Sequence, residues 1–225
     1  MVVVENGNKA GDYIDAITWA GGTPLLCTPS DAQYSSAFLD KSSGLMIACE
    51  SVGSLVTNNE SIGSDHCVEG ASDLLPLQMQ ALRYGLSRDM PILAICRGMQ
   101  LLNRVFGGGV PKIIDGHLVR PTDEDDLPRH QVYVSPGSKM AAIIGSGGFY
   151  KTNSMHGYGI KEPQKSPRLL ASAYSLEDGI IEGLESPEHD WVIGVQCHVE
   201  RMKEVPINFR YLFQGLVQRA NIFNG

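Results

Sequence analysis

The chain has 225 residues, 43% hydrophobic and 19% charged, enough apolar material for one core and one domain over residues 1–225. Its 25 acidic and 18 basic residues give a net charge of −7 with no Lys/Arg run, which argues against a nucleic-acid partner. No apolar stretch approaches the roughly 20 residues of a membrane span, so no membrane partner is expected.

Residues 1–6 lack the basic start and long apolar run of a signal peptide. The five cysteines, Cys27, Cys49, Cys67, Cys96 and Cys197, are odd in number and form no CxxC pair. That argues against a disulfide framework or a zinc knuckle and for a reducing, cytoplasmic setting. Neither cofactor nor metal is expected.

In chain order, Val2–Val4 reads as a first strand. Asp12 can cap a helix running through Ala20, with Tyr13, Ile14 and Ile17 on its apolar side and Gly21-Gly22 as its stop. Thr23–Cys27 and Gly44–Ala48 read as further strands. The polar, glycine-rich stretch from Cys49 to Ala71 reads as a long surface loop. Leu74, Leu77, Ala81 and Leu82 place a helix over 73–87. Strands alternating with helices predict a mostly parallel sheet covered on both faces, a three-layer α/β fold of flavodoxin type.

The most informative stretch follows. Pro91-Ile92-Leu93-Ala94-Ile95 is a short apolar strand, and Met99, Leu101, Leu102, Val105 and Phe106 give a helix face that ends at Gly107-Gly108-Gly109. Cys96 sits between the two, with Gly98 two residues later. This is the layout of a nucleophile elbow, a sharp turn that lifts a reactive side chain above the end of a sheet. A cysteine there meets the positive end of the helix dipole, which favours thiolate. A buried core cysteine is the alternative.

Beyond the elbow, Thr122–Asp126 is an acidic run that reads as a solvated loop. Gln131–Val134, Phe149–Asn153, Leu169–Tyr174, Gly179–Leu184 and Trp191–Gln196 read as strands, the last three joined by hairpin-like links. Pro206 opens a final helix with Phe209, Leu212, Phe213, Leu216 and Val217 on its core face. Residues two apart on an extended chain share a side, so His198 and Glu200 can stand together beyond the end of the strand that closes at Gln196. A carboxylate on one imidazole nitrogen fixes the tautomer and leaves the other for a proton from Cys96. The alternative is a surface histidine and a solvated acid.

Taken together, residues 91–100, Asn153-Ser154-Met155-His156, Asp178–Glu182 and Gly194–Glu200 resemble the class I glutamine amidotransferase-like hydrolases, and within them the γ-glutamyl-γ-aminobutyrate hydrolase branch, peptidase family C26. The elbow reads Cys-Arg-Gly-Met-Gln rather than the Cys-Leu-Gly-His/Val-Gln of ammonia-supplying subunits. The resemblance implies a cysteine-dependent hydrolase with a triad of Cys96, His198 and Glu200, acting on a small-molecule γ-glutamyl amide. Gln100, Ser154, Met155 and His156 would hold the glutamyl end, and Arg129 and His130 would line the pocket. The oxyanion hole would use the backbone N–H of Arg97 and that of Cys49, where Cys49-Glu50 replaces the family's Gly-Gly. Smaller or less rigid residues, Cys197 and Val199, flank His198 where the family has an aromatic residue and a proline. The alternatives are a glutaminase serving a separate synthetase, or a silent relative that binds through the same cleft. A homodimer is compatible with all three.

Overall fold

The structure is a computed structural model that describes residues 2–4, 10–28, 30, 35–48, 74–117 and 128–223. Cys49, Cys67, the 49–71 loop and the acidic run at 122–126 lie outside the described residues.

Eleven strands are described: β1 (Val2–Val4), β2 (Leu25–Cys27), β3 (Leu45–Ile47), β4 (Ile92–Ile95), β5 (Lys112–Ile113), β6 (Arg129–Val134), β7 (Gly148–Asn153), β8 (Tyr158–Gly159), β9 (Leu170–Ser175), β10 (Ile181–Glu185) and β11 (Val192–Val195). Nine form one sheet in the order β2-β1-β3-β4-β11-β10-β9-β6-β7, and β5 pairs with β8. From β2 to β11 every pairing is parallel. From β11 to β7 every pairing is antiparallel. The hairpin-like links expected along 169–196 are the meander β9-β10-β11.

The helices are α1 (Ala10–Trp19), α2 (Ser35–Asp40), α3 (Leu74–Ser87), α4 (Arg97–Val105), α5 (Lys139–Ile144) and α6 (Tyr211–Phe223). Strand periodicity sorts the core into two layers. Met46, Leu93, Ile95, Ile193 and Val195 face α1, α5 and α6. Leu45, Ile47, Ile92, Ala94 and Val192 face α2, α3 and α4. Both faces of the central strands are therefore buried, as the unbroken apolar runs require. Phe209 and Phe213 are fully buried beneath α6, each contributing roughly 1.5–3 kcal/mol. The three-layer α/β arrangement expected from the sequence is the one observed.

Two features refine the expected elements. Pro206 opens a short 3-10 turn, Ile207–Arg210, before α6 begins. The unforeseen α5 has only six residues, and its N-terminus is held from afar. Ser138 accepts the Ala141 N–H at 3.0 Å, and the buried Glu185 carboxylate of β10 accepts the Lys139 N–H at 2.9 Å.

Candidate functional site: an elbow cysteine, a histidine–glutamate pair and a buried histidine cluster

Register sets the site. Ile47 lies beside Ala94, and Ile95 beside Val195, so the carboxyl ends of β3, β4 and β11 stand in a row. Parallel α/β sheets bind ligands at such ends. Cys96 is the residue directly after β4, and its N–H donates to Val195 O at 2.7 Å.

Cys96 takes φ 53° and ψ −109° at the N-cap of α4. A non-glycine residue held at positive φ costs on the order of 1–3 kcal/mol and persists only where its surroundings enforce it. Enforcement comes from close packing on either side of α4. A Cβ on Gly98 would lie 2.5 Å from Ile47 O, and one on Gly194 would lie 2.6 Å from Met99 Cγ. The helix therefore approaches β3 and β11 more closely than any side chain there would allow. The elbow expected from the sequence is present, with Cys96 buried at 4% exposure.

Around the sulfur, Gln196 Nε2 donates to Cys96 Sγ at 3.4 Å. The side-chain oxygen Oε1 of Gln196 accepts from Gln100 Nε2 at 3.0 Å, and Gln100 Nε2 also donates to Tyr158 O at 3.0 Å. This amide chain aims an N–H at the sulfur. Gln100 is thus built into the frame behind the sulfur. On the other flank, Gln78 of α3 donates to Ala48 O at 2.9 Å and fixes the end of β3.

Beyond β11 the chain turns, and His198 Nδ1 lies 2.6 Å from Glu200 Oε1, with both side chains buried. Asn153, at the end of β7, clamps the His198 backbone. Its Oδ1 accepts the His198 N–H at 2.9 Å and its Nδ2 donates to His198 O at 3.0 Å. Cys197, between the elbow and this pair, is fully enclosed. Burial first, then the carboxylates of Glu182 and Glu200, push its thiol well above the usual range. It remains protonated and apolar in behaviour. The three described cysteines form no disulfide.

The remaining expected site residues divide. Met155 is half-buried, with Arg201 Nη1 3.2 Å from its sulfur. Arg129 is exposed on β6 opposite Asn153. Ser154, His130 and His156 are buried and face a second cluster with His117 and Glu182, two residues not expected at the site. His117 Nδ1 lies 3.3 Å from His156 Nε2, and His130 Nε2 lies 3.3 Å from Glu182 Oε1. Burial, chiefly, pulls His156 down to about 4. Burial acts the same way on His130, but the Glu182 carboxylate outweighs it and the net shift is upward. A backbone bond from Gln196 N to Glu182 O, 2.9 Å long, joins this cluster to the elbow. Gln196, Asn153 and Glu182 all lie within the motifs that carried the resemblance, which was the available signal for them.

This is the fold of glutamine amidotransferases. The glutaminase domain of Trypanosoma brucei CTPS superposes with a TM-score of 0.65 at 16% identity, over 98% of this chain and 92% of that one. A glutamine amido transferase from Methylobacillus flagellatus gives 0.65 at 12% identity, over 97% and 94%. Within that fold, the peptidase C26 family profile matches residues 3–200, and the chain belongs to that family. It is 30% identical over 218 residues to the γ-glutamyl-γ-aminobutyrate hydrolase PuuD of Escherichia coli (strain K12), covering 91% of this chain and 83% of that protein. Among the described residues, no helix is long and apolar enough to cross a membrane.

Proposed function

We propose that the protein hydrolyses γ-glutamyl amides through a thioester on Cys96. The observation that carries this reading is the strained Cys96 elbow, in parallel register with the strand that leads to the 2.6 Å His198–Glu200 pair. His198 takes the thiol proton, and Cys96 Sγ attacks the γ-carbonyl carbon of the substrate. Charge builds on the carbonyl oxygen, where the Arg97 N–H at the start of α4 is the proposed donor. Collapse expels the amine, which takes a proton from His198, and leaves a γ-glutamyl thioester. Water, deprotonated by His198, then releases glutamate and restores the thiol. Glu200 holds the imidazole in one tautomer and stabilises its charged form. Met155, Arg129 and the 154–156 backbone are proposed to contact the glutamyl end. The E. coli relative's name supports a γ-glutamyl substrate of this class.

Purified protein is incubated with γ-glutamyl-γ-aminobutyrate, other γ-glutamyl amides and glutamine, and free glutamate is followed. Turnover of the amides, abolished in Cys96→Ala, is expected. Turnover of glutamine alone, or turnover that survives Cys96→Ala, would overturn the reading.

A further inference from the structure

The proposed hydrolysis does not use the cluster of His117, His130, His156 and Glu182. We propose that these four residues form a closed binding site for one divalent first-row transition cation of the zinc type, with three imidazole nitrogens and one carboxylate oxygen as ligands.

Distances come first. Tetrahedral coordination with bonds of 2.0–2.2 Å places neighbouring donors about 3.4 Å apart. Here His117 Nδ1 to His156 Nε2 is 3.3 Å, and His130 Nε2 to Glu182 Oε1 is 3.3 Å. His156 Nε2 to Glu182 Oε1 is 3.7 Å, and His117 Nδ1 to Glu182 Oε1 is 4.0 Å. All four donors lie within 4.8 Å of one another; the pairs at 3.3–3.7 Å need only a few tenths of an ångström, and the widest must close by up to about 1.4 Å to complete the shell.

Outer partners come second. Ligating histidines hand their other ring N–H to a carboxylate or a carbonyl, which turns the lone pair towards the metal. His117 Nε2 lies 3.1 Å from Asp178 Oδ2, and His156 Nδ1 lies 3.1 Å from Tyr158 O. Asp178 is itself fixed in place, its Oδ1 accepting the Ile180 N–H at 3.2 Å. Both outer nitrogens then carry protons, and the inner nitrogens face each other as bare lone pairs. The Ser154 hydroxyl is 3.2 Å from His117 Nδ1 and 3.0 Å from His117 O, and its single proton serves one of them.

Third is the buried carboxylate. Glu182 is 2% exposed, and its Oε1 faces three imidazole nitrogens at 3.3, 3.7 and 4.0 Å with no well-aligned hydrogen bond to either oxygen among the described residues. A buried anion needs a compensating cation. One dication answers both the unsatisfied carboxylate and the converging lone pairs. A proton shared between His117 and His156 would answer only the second, and a proton on His130, 3.3 Å from Glu182 Oε1, only the first. Borderline N and O donors at this spacing suit zinc better than calcium or magnesium, which take oxygen shells.

With all four positions filled by protein, such a cation would be structural. It would tie β6, β10, the Ser154–Tyr158 segment and the turn at His117 into one floor beneath the elbow. Tyr158 O already links that floor to Gln100. Asp178, 29% exposed, is the edge of the network that meets solvent, in a cleft shared with Lys112, Asp115, Lys161 and Gln164.

The test uses the full chain carrying Cys96→Ala, which removes the reactive thiol as a competing ligand, after stripping with a chelator. Zn²⁺ or Co²⁺ alone is titrated in, and metal per chain, the Co²⁺ absorption spectrum and the melting temperature are read. One equivalent is expected, with a four-coordinate Co²⁺ spectrum free of thiolate charge transfer and a raised melting temperature. Glu182→Gln should abolish stoichiometric binding. Asp178→Asn, at the solvent edge and tolerable to the fold, should weaken it by about 10–100-fold. Absence of stoichiometric metal, or binding indifferent to both substitutions, would overturn the proposal. None of these readouts involves hydrolysis, so a failure of the catalytic reading would leave this result standing, and the reverse.

Discussion

Replacing Asn153 with alanine should damage stability and catalysis together. The side chain is fully buried, and its amide completes both backbone hydrogen bonds of His198, at 2.9 and 3.0 Å. Alanine strands a buried N–H, costing about 1–3 kcal/mol, and removes one of two donors from His198 O, which keeps the Arg201 N–H at 3.3 Å, costing about 0.5–1.5 kcal/mol. The third bond, 3.3 Å to the partly solvated Glu204, contributes little. A loss of about 1.5–4.5 kcal/mol follows. For a chain of 225 residues this lowers the melting temperature by about 3–18 °C. Because the clamp fixes the segment that carries the imidazole, a displacement of ~1 Å would cost about 100-fold in rate. Thermal melting by circular dichroism gives the first quantity and steady-state release of glutamate the second. Asn153→Asp keeps the acceptor for His198 N–H but loses the donor to His198 O, so it should fall between wild type and alanine in stability. An alanine variant that melts with the wild type and turns over at its rate would refute the clamp.

Glu200→Gln preserves shape but offers His198 Nδ1 an uncharged partner that can present either oxygen or NH₂. It should lower kcat by about 10²–10⁴ with little change in KM, measured with a γ-glutamyl amide; a kcat near wild type would remove Glu200 from the mechanism. Gly98→Ala places a methyl 2.5 Å from a backbone oxygen that cannot rotate away. Overpacking costs about 1–3 kcal/mol, and the better helix propensity of alanine returns no more than ~1 kcal/mol. A net loss of stability is expected, with activity falling further because the elbow itself must move; equal stability and activity in both forms would contradict the close approach.

The sequence by itself determined the parallel half of the sheet and the elbow. Those signals are local: apolar runs of four or five residues, a helical stripe from Met99 to Phe106, and a cysteine with a glycine two positions on. It also pointed to His198 and Glu200 as a pair, although they meet across a turn after β11 rather than on the extended chain that the two-residue spacing assumes. Short elements escaped it. Helix α5 has six residues and depends on a carboxylate from β10, while β5 and β8 are two residues each and exist only as each other's partner. The site's supports escaped it for the same reason. Asn153 reaches His198 across 45 positions, and Gln196 reaches Cys96 across 100. His130 and His156, read from the sequence as pocket residues, turn inward because β6 and β10 lie two strands apart in the sheet and bring them to Glu182 and His117. Spacing along the chain holds no trace of that meeting. Only the pairing of distant strands decides which buried polar groups share a space and must neutralise one another.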